Sequence, residues 1–281
     1  MPITLDGAVR AAAAQLSQSF TPLLDARILC QHVTGFDHGE MIAQGAAPLP
    51  DVINDQYKAL ITRRANGEPI AYLVGTKEFW GQSYVVTPDV LIPRADSETL
   101  VSAIASRREG ARYVLDLGTG SGCLLGALMG VFTGAIGLGV DRSLGAACIA
   151  ARNMQRLGFS SRTQIINGSW LQAVGRRFDI IVSNPPYIAP DEQSGLPVDV
   201  RDFEPAIALF SDEDGRADYR HLLAVADRAL CPQGLFVLEI GDGQAGLLMD
   251  EAQAQFPTAQ SSIVPDLAGQ PRALVIDKAK R

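Results

Sequence analysis

The sequence predicts an α/β domain built on parallel strands and preceded by a small helical domain. Three observations predict it. Apolar runs of strand length at residues 113–117, 135–140, 163–166, 178–183 and 235–240 alternate with helix-length segments. The first of these runs enters a glycine loop, Gly118-Thr119-Gly120-Ser121-Gly122, and then a helix from Cys123. Residues 1 to 75 show helical periodicity only, cut by turn signals into four or five short helices too small for a large core.

Composition sets the bounds. A chain of 281 residues, 47% hydrophobic and 20% charged, suits one large domain plus a small one. The net charge of −7 argues against a nucleic-acid backbone as the main partner. Four cysteines without a CxxC pair, together with three histidines, give no metal-ligand spacing, so no metal is expected. Reduced thiols and a start lacking signal-peptide character point to a cytoplasmic protein. Residues 122–140 hold no charge over a length that would span a membrane, but Gly130, Gly134, Gly137 and Gly139 split them into a helix, a turn and a short strand.

Taken in order, residues 1–75 form the helical domain, with Leu24, Ile28 and Leu29 on one helix and Val52, Ile53, Tyr57, Leu60 and Ile61 on another that Asp51 is expected to cap. Its six Lys and Arg against eight Asp and Glu through residue 85 exclude a basic nucleic-acid arm. Residues 76–90 read as a hairpin linker, two aromatic and β-branched runs around Gly81. Residues 91–281 form the α/β domain. In it Pro93 stops an extended run, Asp96 or Ser97 can cap a helix carrying Leu100, Val101 and Ile104, and Arg94 can pair with Glu98 at the surface. Residues 190–197 are polar and turn-rich, suited to a mobile lid.

The chemistry gathers at the C-terminal ends of the strands, where open α/β sheets bind ligands. The glycines at 118, 120 and 122 let the backbone approach a nucleotide-like ligand, although Cys123 breaks the dinucleotide fingerprint. Asp141, ending the next strand, can accept hydrogen bonds from both ribose hydroxyls, and Trp170 can lie against an adenine ring. After the strand at 178–183 comes Asn184-Pro185-Pro186-Tyr187. Two prolines supply carbonyls and no N–H, so this loop is stiff and rich in acceptors. The Asn184 and Pro185 carbonyls can each take one hydrogen of a planar NH2 group, with Tyr187 stacked on its plane. Each feature has a structural alternative: a proline turn, a helix cap at Asp141, a core tryptophan. Their succession along one sheet edge favours the catalytic reading.

These motifs, with Phe79-Trp80-Gly81, Leu91-Ile92-Pro93-Arg94, Asp116 to Gly122, Asn184 to Ile188 and Phe203-Glu204-Pro205, make the chain resemble the HemK/PrmC family of peptide-chain release factor N5-glutamine methyltransferases over nearly its whole length. The resemblance implies a Rossmann-like, seven-stranded S-adenosylmethionine-dependent methyltransferase domain whose last strand is antiparallel, behind a five-helix N-terminal domain that holds the release factor. It implies S-adenosyl-L-methionine at Gly118, Thr119, Gly120, Ser121, Gly122, Asp141, Trp170 and Asn184. It also implies that the glutamine of a Gly-Gly-Gln motif sits at Asn184, Pro185, Pro186 and Tyr187, with S-adenosyl-L-homocysteine as product. The chain departs from the family pattern at Ala95-Asp96-Ser97-Glu98, where Pro-Glu-Thr-Glu is common, and at Ser169, where Asp is common. The expected partner is a release factor bound by a monomer, without membrane or direct nucleic-acid contact. Two other acceptors fit the same loop: an exocyclic amino group of adenine or cytosine in nucleic acid, which the charge disfavours, and a ribosomal-protein glutamine. A non-catalytic cofactor-binding or scaffold protein would have no need of Asn184 beside paired prolines.

Overall fold

The computed structural model describes residues 3–172 and 174–279. Contacts divide the chain into two compact units. The first comprises the residues through Thr76 together with Pro197–Phe203, and the second runs over Lys77–Leu196 and resumes at Glu204.

The first unit contains the helices Leu5–Gln15, Pro22–Thr34, His38–Ala43, Asp51–Ala65 and Ile70–Val74. Local chemistry starts and stops them. The Thr4 hydroxyl accepts from the Gly7 N–H, Asp37 and Glu40 form a reciprocal capping box, and Gly35 and Gly75 end their helices in the left-handed conformation. Asp51 is the first helical residue, with Pro50 at the cap, so its carboxylate meets the positive helix end without a cap hydrogen bond. Leu29, Cys30 and Tyr57 are buried at the centre, where the Tyr57 hydroxyl donates to the Ala26 carbonyl at 2.8 Å. Helix Val198–Phe203 packs in this unit. The Val198 Cγ1 lies 2.9 Å from where a Cβ on Gly67 would stand, and Gly67 has φ 95°.

The second unit opens with a hairpin, β1 (Thr76–Phe79) and β2 (Gln82–Val85), turned by Trp80 and Gly81 at φ 52° and 69°. Its sheet holds seven strands: β3 (Tyr113–Leu117), β4 (Ile136–Asp141), β5 (Thr163–Asn167), β6 (Phe178–Ser183), β7 (Leu230–Glu239), β8 (Gln260–Pro265) and β9 (Pro271–Asp277). Their spatial order is β5-β4-β3-β6-β7-β9-β8, and β9 runs antiparallel to both of its neighbours. Both faces are covered. Val114, Ile180 and Val182 join one buried cluster, while Leu115, Leu117 and Ile181 join the other. Burial on both faces is why these strands read as unbroken apolar runs. Strand β8 escapes that reading because Gln260, Ser261 and Ser262 begin a partly exposed edge. Strand β7 starts five residues before its apolar stretch, at Leu230, which pairs with Phe178 ahead of a register shift.

One buried side chain joins the hairpin to the glycine loop. Asn153, on helix Leu144–Arg156, accepts from the Val85 N–H at 2.8 Å and donates to the Val85 carbonyl at 2.9 Å and the Ser121 carbonyl at 2.8 Å. All of its amide is satisfied by backbone, so an alanine here strands three buried polar groups. Asn153→Ala should lower unfolding stability by at least about 2 kcal/mol, since each unpaired buried group costs roughly 1 to 3 kcal/mol. Urea unfolding monitored by tryptophan fluorescence measures this, and a loss below about 0.5 kcal/mol, the size of an ordinary surface change, would show that the clamp is dispensable.

Candidate active site

The cleft lies at the C-terminal ends of β3, β4, β5 and β6 and encloses about 910 Å³, counting its open mouth. Strand β3 ends in Asp116 and Leu117, after which Gly118, Gly120 and Gly122 all adopt positive φ, at 70°, 54° and 80°. At Gly118 the backbone conformation is what favours glycine, since a Cβ there would make only ordinary contact with Trp170, 3.5 Å from its Cζ3. The Gly118 and Thr119 N–H groups both donate to the Val140 carbonyl, at 2.9 and 3.0 Å, folding the loop back over β4.

A buried carboxylate supports this loop. Helix Cys123–Val131 has Gly122 at its cap and therefore no side chain to cap it. Asp116 supplies the missing acceptor from β3: its Oδ2 takes the Leu125 N–H at 3.3 Å and the Thr119 hydroxyl at 2.7 Å. Its Oδ1 is buried without a partner. Burial pushes this carboxyl up to about 7, against the pull of those two hydrogen bonds. Ser121 is likewise buried and lines the cleft, its side chain within hydrogen-bond reach of the Cys123 thiol.

Asp141 ends β4 at the cleft wall. Its Oδ2 accepts from the Gly120 N–H at 2.8 Å and its Oδ1 from the Ser143 N–H at 2.9 Å, which leaves each oxygen a further lone pair. Burial raises its pKa, while the two backbone donors act in the opposite direction. The cap of helix Leu144–Arg156 is Ser143, so Asp141 is not needed for that task. Trp170 stands at the cleft with φ 45°, a conformation rarely adopted by a side chain of this size.

Beyond β6, Asn184 and Pro186 line the cleft, whereas Pro185 and Tyr187 are not part of its wall. Tyr187 faces Gly241, its Cδ2 2.9 Å from where a Cβ would be, and its carbonyl accepts from Gln244 Nε2 at 3.2 Å. Burial pushes the Tyr187 hydroxyl up to about 12. The loop is tied to β3 by the Ser183 hydroxyl, which donates to the Leu117 carbonyl at 2.6 Å.

The opposite wall comes from residues 89–97. Arg94 pairs with Glu204, Nη2 to Oε1 at 2.5 Å, and the second Glu204 oxygen accepts from the Ile92 N–H at 3.1 Å. This replaces the expected Arg94–Glu98 pair; Glu98 instead accepts from the Trp80 N–H at 2.8 Å. Within residues 190–197, expected to form a lid, Pro190–Gly195 make a short 3-10 helix. Among the described residues no group of His, Cys, Asp and Glu could hold a metal ion, and no helix is long and apolar enough to cross a membrane.

Comparison with known proteins places the motifs. Residues 7–75 match the model of the PrmC N-terminal domain, and residues 94–198 match that of the methyltransferase small domain. A release factor glutamine methyltransferase of Bradyrhizobium diazoefficiens is 38% identical, covering 95% of this chain and 91% of the relative. One from Salmonella typhimurium is 42% identical, covering 82% and 83%. Among solved structures, a methyltransferase from Pyrococcus furiosus superposes with a TM-score of 0.52 at 19% identity, covering 79% of this chain and 97% of that one. A T. thermophilus 16S rRNA methyltransferase in complex with AdoMet and guanosine gives 0.52 at 23% identity, covering 73% and 50%. At these identities the two structures support the fold alone.

The raised Asp116 carboxyl carries a sign that can be measured. Its folded pKa of about 7 exceeds the ordinary 3.8, so the folded state holds the proton more tightly. Its contribution to stability is fully present below about 3.8 and is lost as pH rises through about 7. Glu239, also pushed up to about 7, acts in the same direction. Asp116→Asn should remove one share of this slope, at most about 1.4 kcal/mol per pH unit. Thermal unfolding of wild type and variant across this range tests it, and parallel curves would mean that Asp116 is ionised throughout.

Proposed function

The chain belongs to the release factor glutamine methyltransferases, and from that premise we propose that it transfers a methyl group from S-adenosylmethionine to the side-chain amide nitrogen (N5) of the glutamine in the Gly-Gly-Gln motif of peptide-chain release factors. The observation that carries the site assignment is Asn184 at the end of β6, lining the same cleft as the glycine loop, Asp141 and Trp170. The cleft residues fit the cofactor. Gly118 to Gly122 leave room for close approach, the Ser121 side chain lines the cleft, and the free lone pairs of Asp141 suit a ribose diol. Trp170 offers an indole face to adenine.

When bound, S-adenosylmethionine supplies a methyl carbon made electrophilic by its sulfonium, and its departure leaves a neutral thioether. The protein's task is the nucleophile. An amide nitrogen shares its lone pair with the neighbouring carbonyl, so rigid placement contributes the most, up to roughly 7 to 11 kcal/mol for well-oriented reactants. The Asn184 Oδ1 accepts an N–H hydrogen of the acceptor amide, which raises electron density on nitrogen as positive charge develops there. With the methyl donor bound, the N–C bond would form as the C–S bond breaks, and the excess proton would leave the nitrogen for solvent. Prolines at 185 and 186 keep competing N–H donors out of this pocket. Tyr187 holds the loop by its packing beside Gly241.

Residues 1–75 serve as the docking domain, 76–90 as hairpin linker and 91–281 as the methyltransferase domain. Phe20 is fully exposed and Ile42 71% exposed on the helical unit, apolar surface of the kind a protein substrate covers. Docking raises the local concentration of the glutamine at the cleft.

Two measurements check this reading. Incubation with labelled methyl donor and intact release factor should place one methyl group on the Gly-Gly-Gln glutamine; label found on nucleic acid or a ribosomal protein instead would reassign the acceptor. Asn184→Ala should lower turnover about 100-fold, the loss typical of one transition-state hydrogen bond, with a smaller effect on cofactor affinity by calorimetry. Docking is tested separately. Phe20→Ser with Ile42→Ser should raise KM for intact release factor about tenfold, equivalent to about 1.4 kcal/mol, with KM for a short Gly-Gly-Gln peptide unchanged. Equal changes for both substrates would place docking elsewhere.

A further inference from the structure

Ser97 stands at the cap of helix Glu98–Ala105, yet its hydroxyl makes no cap hydrogen bond. Both of its contacts are with side chains distant in sequence. Its Oγ forms a very short hydrogen bond with Glu239 Oε2 and accepts from Asn184 Nδ2 at 3.3 Å. Ser97 and Glu239 are buried, at 3% and 1% exposure, and Ser97 and Asn184 both line the cleft. Among the described residues no donor reaches the Asn184 Oδ1.

The direction of this chain of hydrogen bonds follows from its far end. A carboxylate can only accept, so the Ser97 hydroxyl donates its single proton to Glu239. Ser97 then has only lone pairs to offer Asn184, and a lone pair binds the NH2 end of an amide and not its carbonyl. The Asn184 Oδ1 is thereby left for an incoming N–H. We propose that Glu239 and Ser97 are positioning residues that fix the Asn184 amide with its carbonyl toward the acceptor. The proposal rests on the reading of Asn184 as the acceptor's partner and adds what makes that asparagine directional, since an unrestrained amide presents either end.

A protonated Glu239 would reverse the chain. Its hydroxyl would donate to Ser97, Ser97 would donate to the Asn184 Oδ1, and the Asn184 NH2 would meet the acceptor NH2, two donors with no bond between them. Burial pushes the Glu239 carboxyl up to about 7, with Asp96 adding to the rise and Ser97, Arg272 and Arg94 opposing it. Tyr187, Tyr219 and Cys123 also sense its charge, and the Tyr219 hydroxyl donates to the Glu239 carbonyl at 2.9 Å. Turnover should therefore fall as pH drops below about 7, the range in which Glu239 takes up its proton.

Four variants and one spectrum test this. Ser97→Ala should lower kcat by about 10- to 100-fold, the range typical when an orienting outer group is lost. KM for release factor and affinity for S-adenosylhomocysteine should change less than about threefold, because nothing is removed from either ligand. Ser97→Thr, which keeps the hydroxyl, should recover most of the turnover. Glu239→Gln has nothing to titrate and should lose the acidic limb of the kcat profile, while Asp116→Asn, which removes the other carboxyl raised to this range, should keep it. In the protein without ligands, the Asn184 side-chain ¹⁵N amide resonance should shift with pH near 7 in wild type and stay flat in Ser97→Ala and Glu239→Gln. A Ser97→Ala kcat within threefold of wild type, a limb that survives Glu239→Gln, or an Asn184 resonance indifferent to pH would each overturn the proposal. The spectrum separates the two readings: an enzyme that methylates release factor with an indifferent amide has no relay, and a titrating amide in a protein that does not methylate release factor leaves the relay standing on another acceptor.

Discussion

The cleft depends on the place where β6 stops. This strand is buried between β3 and β7 in a parallel sheet, and a central strand can leave such a sheet only by giving up ladder hydrogen bonds. Two consecutive prolines end the ladder without orphaning an N–H, because they have none. The polar residues just before them are held from both sides. Ser183 donates to the end of β3, and Asn184 reaches Ser97, which reaches the end of β7. A loop held in this way keeps its carbonyls in place without being rebuilt when a ligand arrives, and a reaction limited by the placement of a poor nucleophile requires that.

The ends of β3 and β7 also carry two raised carboxylates, Asp116 and Glu239, which do different work by the same physics. Each is deprived of water by the sheet, and each is only partly compensated by hydrogen bonds. Asp116 turns that cost into a cap for a helix whose own cap residue is glycine. Glu239 turns it into direction along a line of side chains. A neutral hydrophobic residue would be easier to bury at either position and would lose what the charge organises.

Much of this was legible along the chain. The glycine loop, Asp141, Trp170 and Asn184 declare themselves because each combines an unusual local residue with a strand end, and strand ends in a parallel sheet converge on one edge. Side-chain partnerships were not legible. Arg94 pairs with Glu204 and not with its neighbour Glu98, Ser97 bonds Glu239 instead of capping its own helix, and Asn153 binds Val85 and Ser121. In each case the partner lies far along the chain, where no local pattern marks it. Strand β8 was missed for the opposite reason, since an edge position asks little of its side chains and leaves little pattern to read.

The helix Val198–Phe203 gives the helical unit a peculiarity in time. During synthesis a chain emerges from its N-terminus, and domains ordinarily fold as they appear. Here the five helices up to Val74 are complete long before Val198, which fills the space beside Gly67, has been made. By then the chain has already delivered β3, β4, β5 and β6. The nascent helical unit therefore waits with an uncovered face while most of the second unit is translated, so its final closure is a late event in biosynthesis although its sequence is nearly all early.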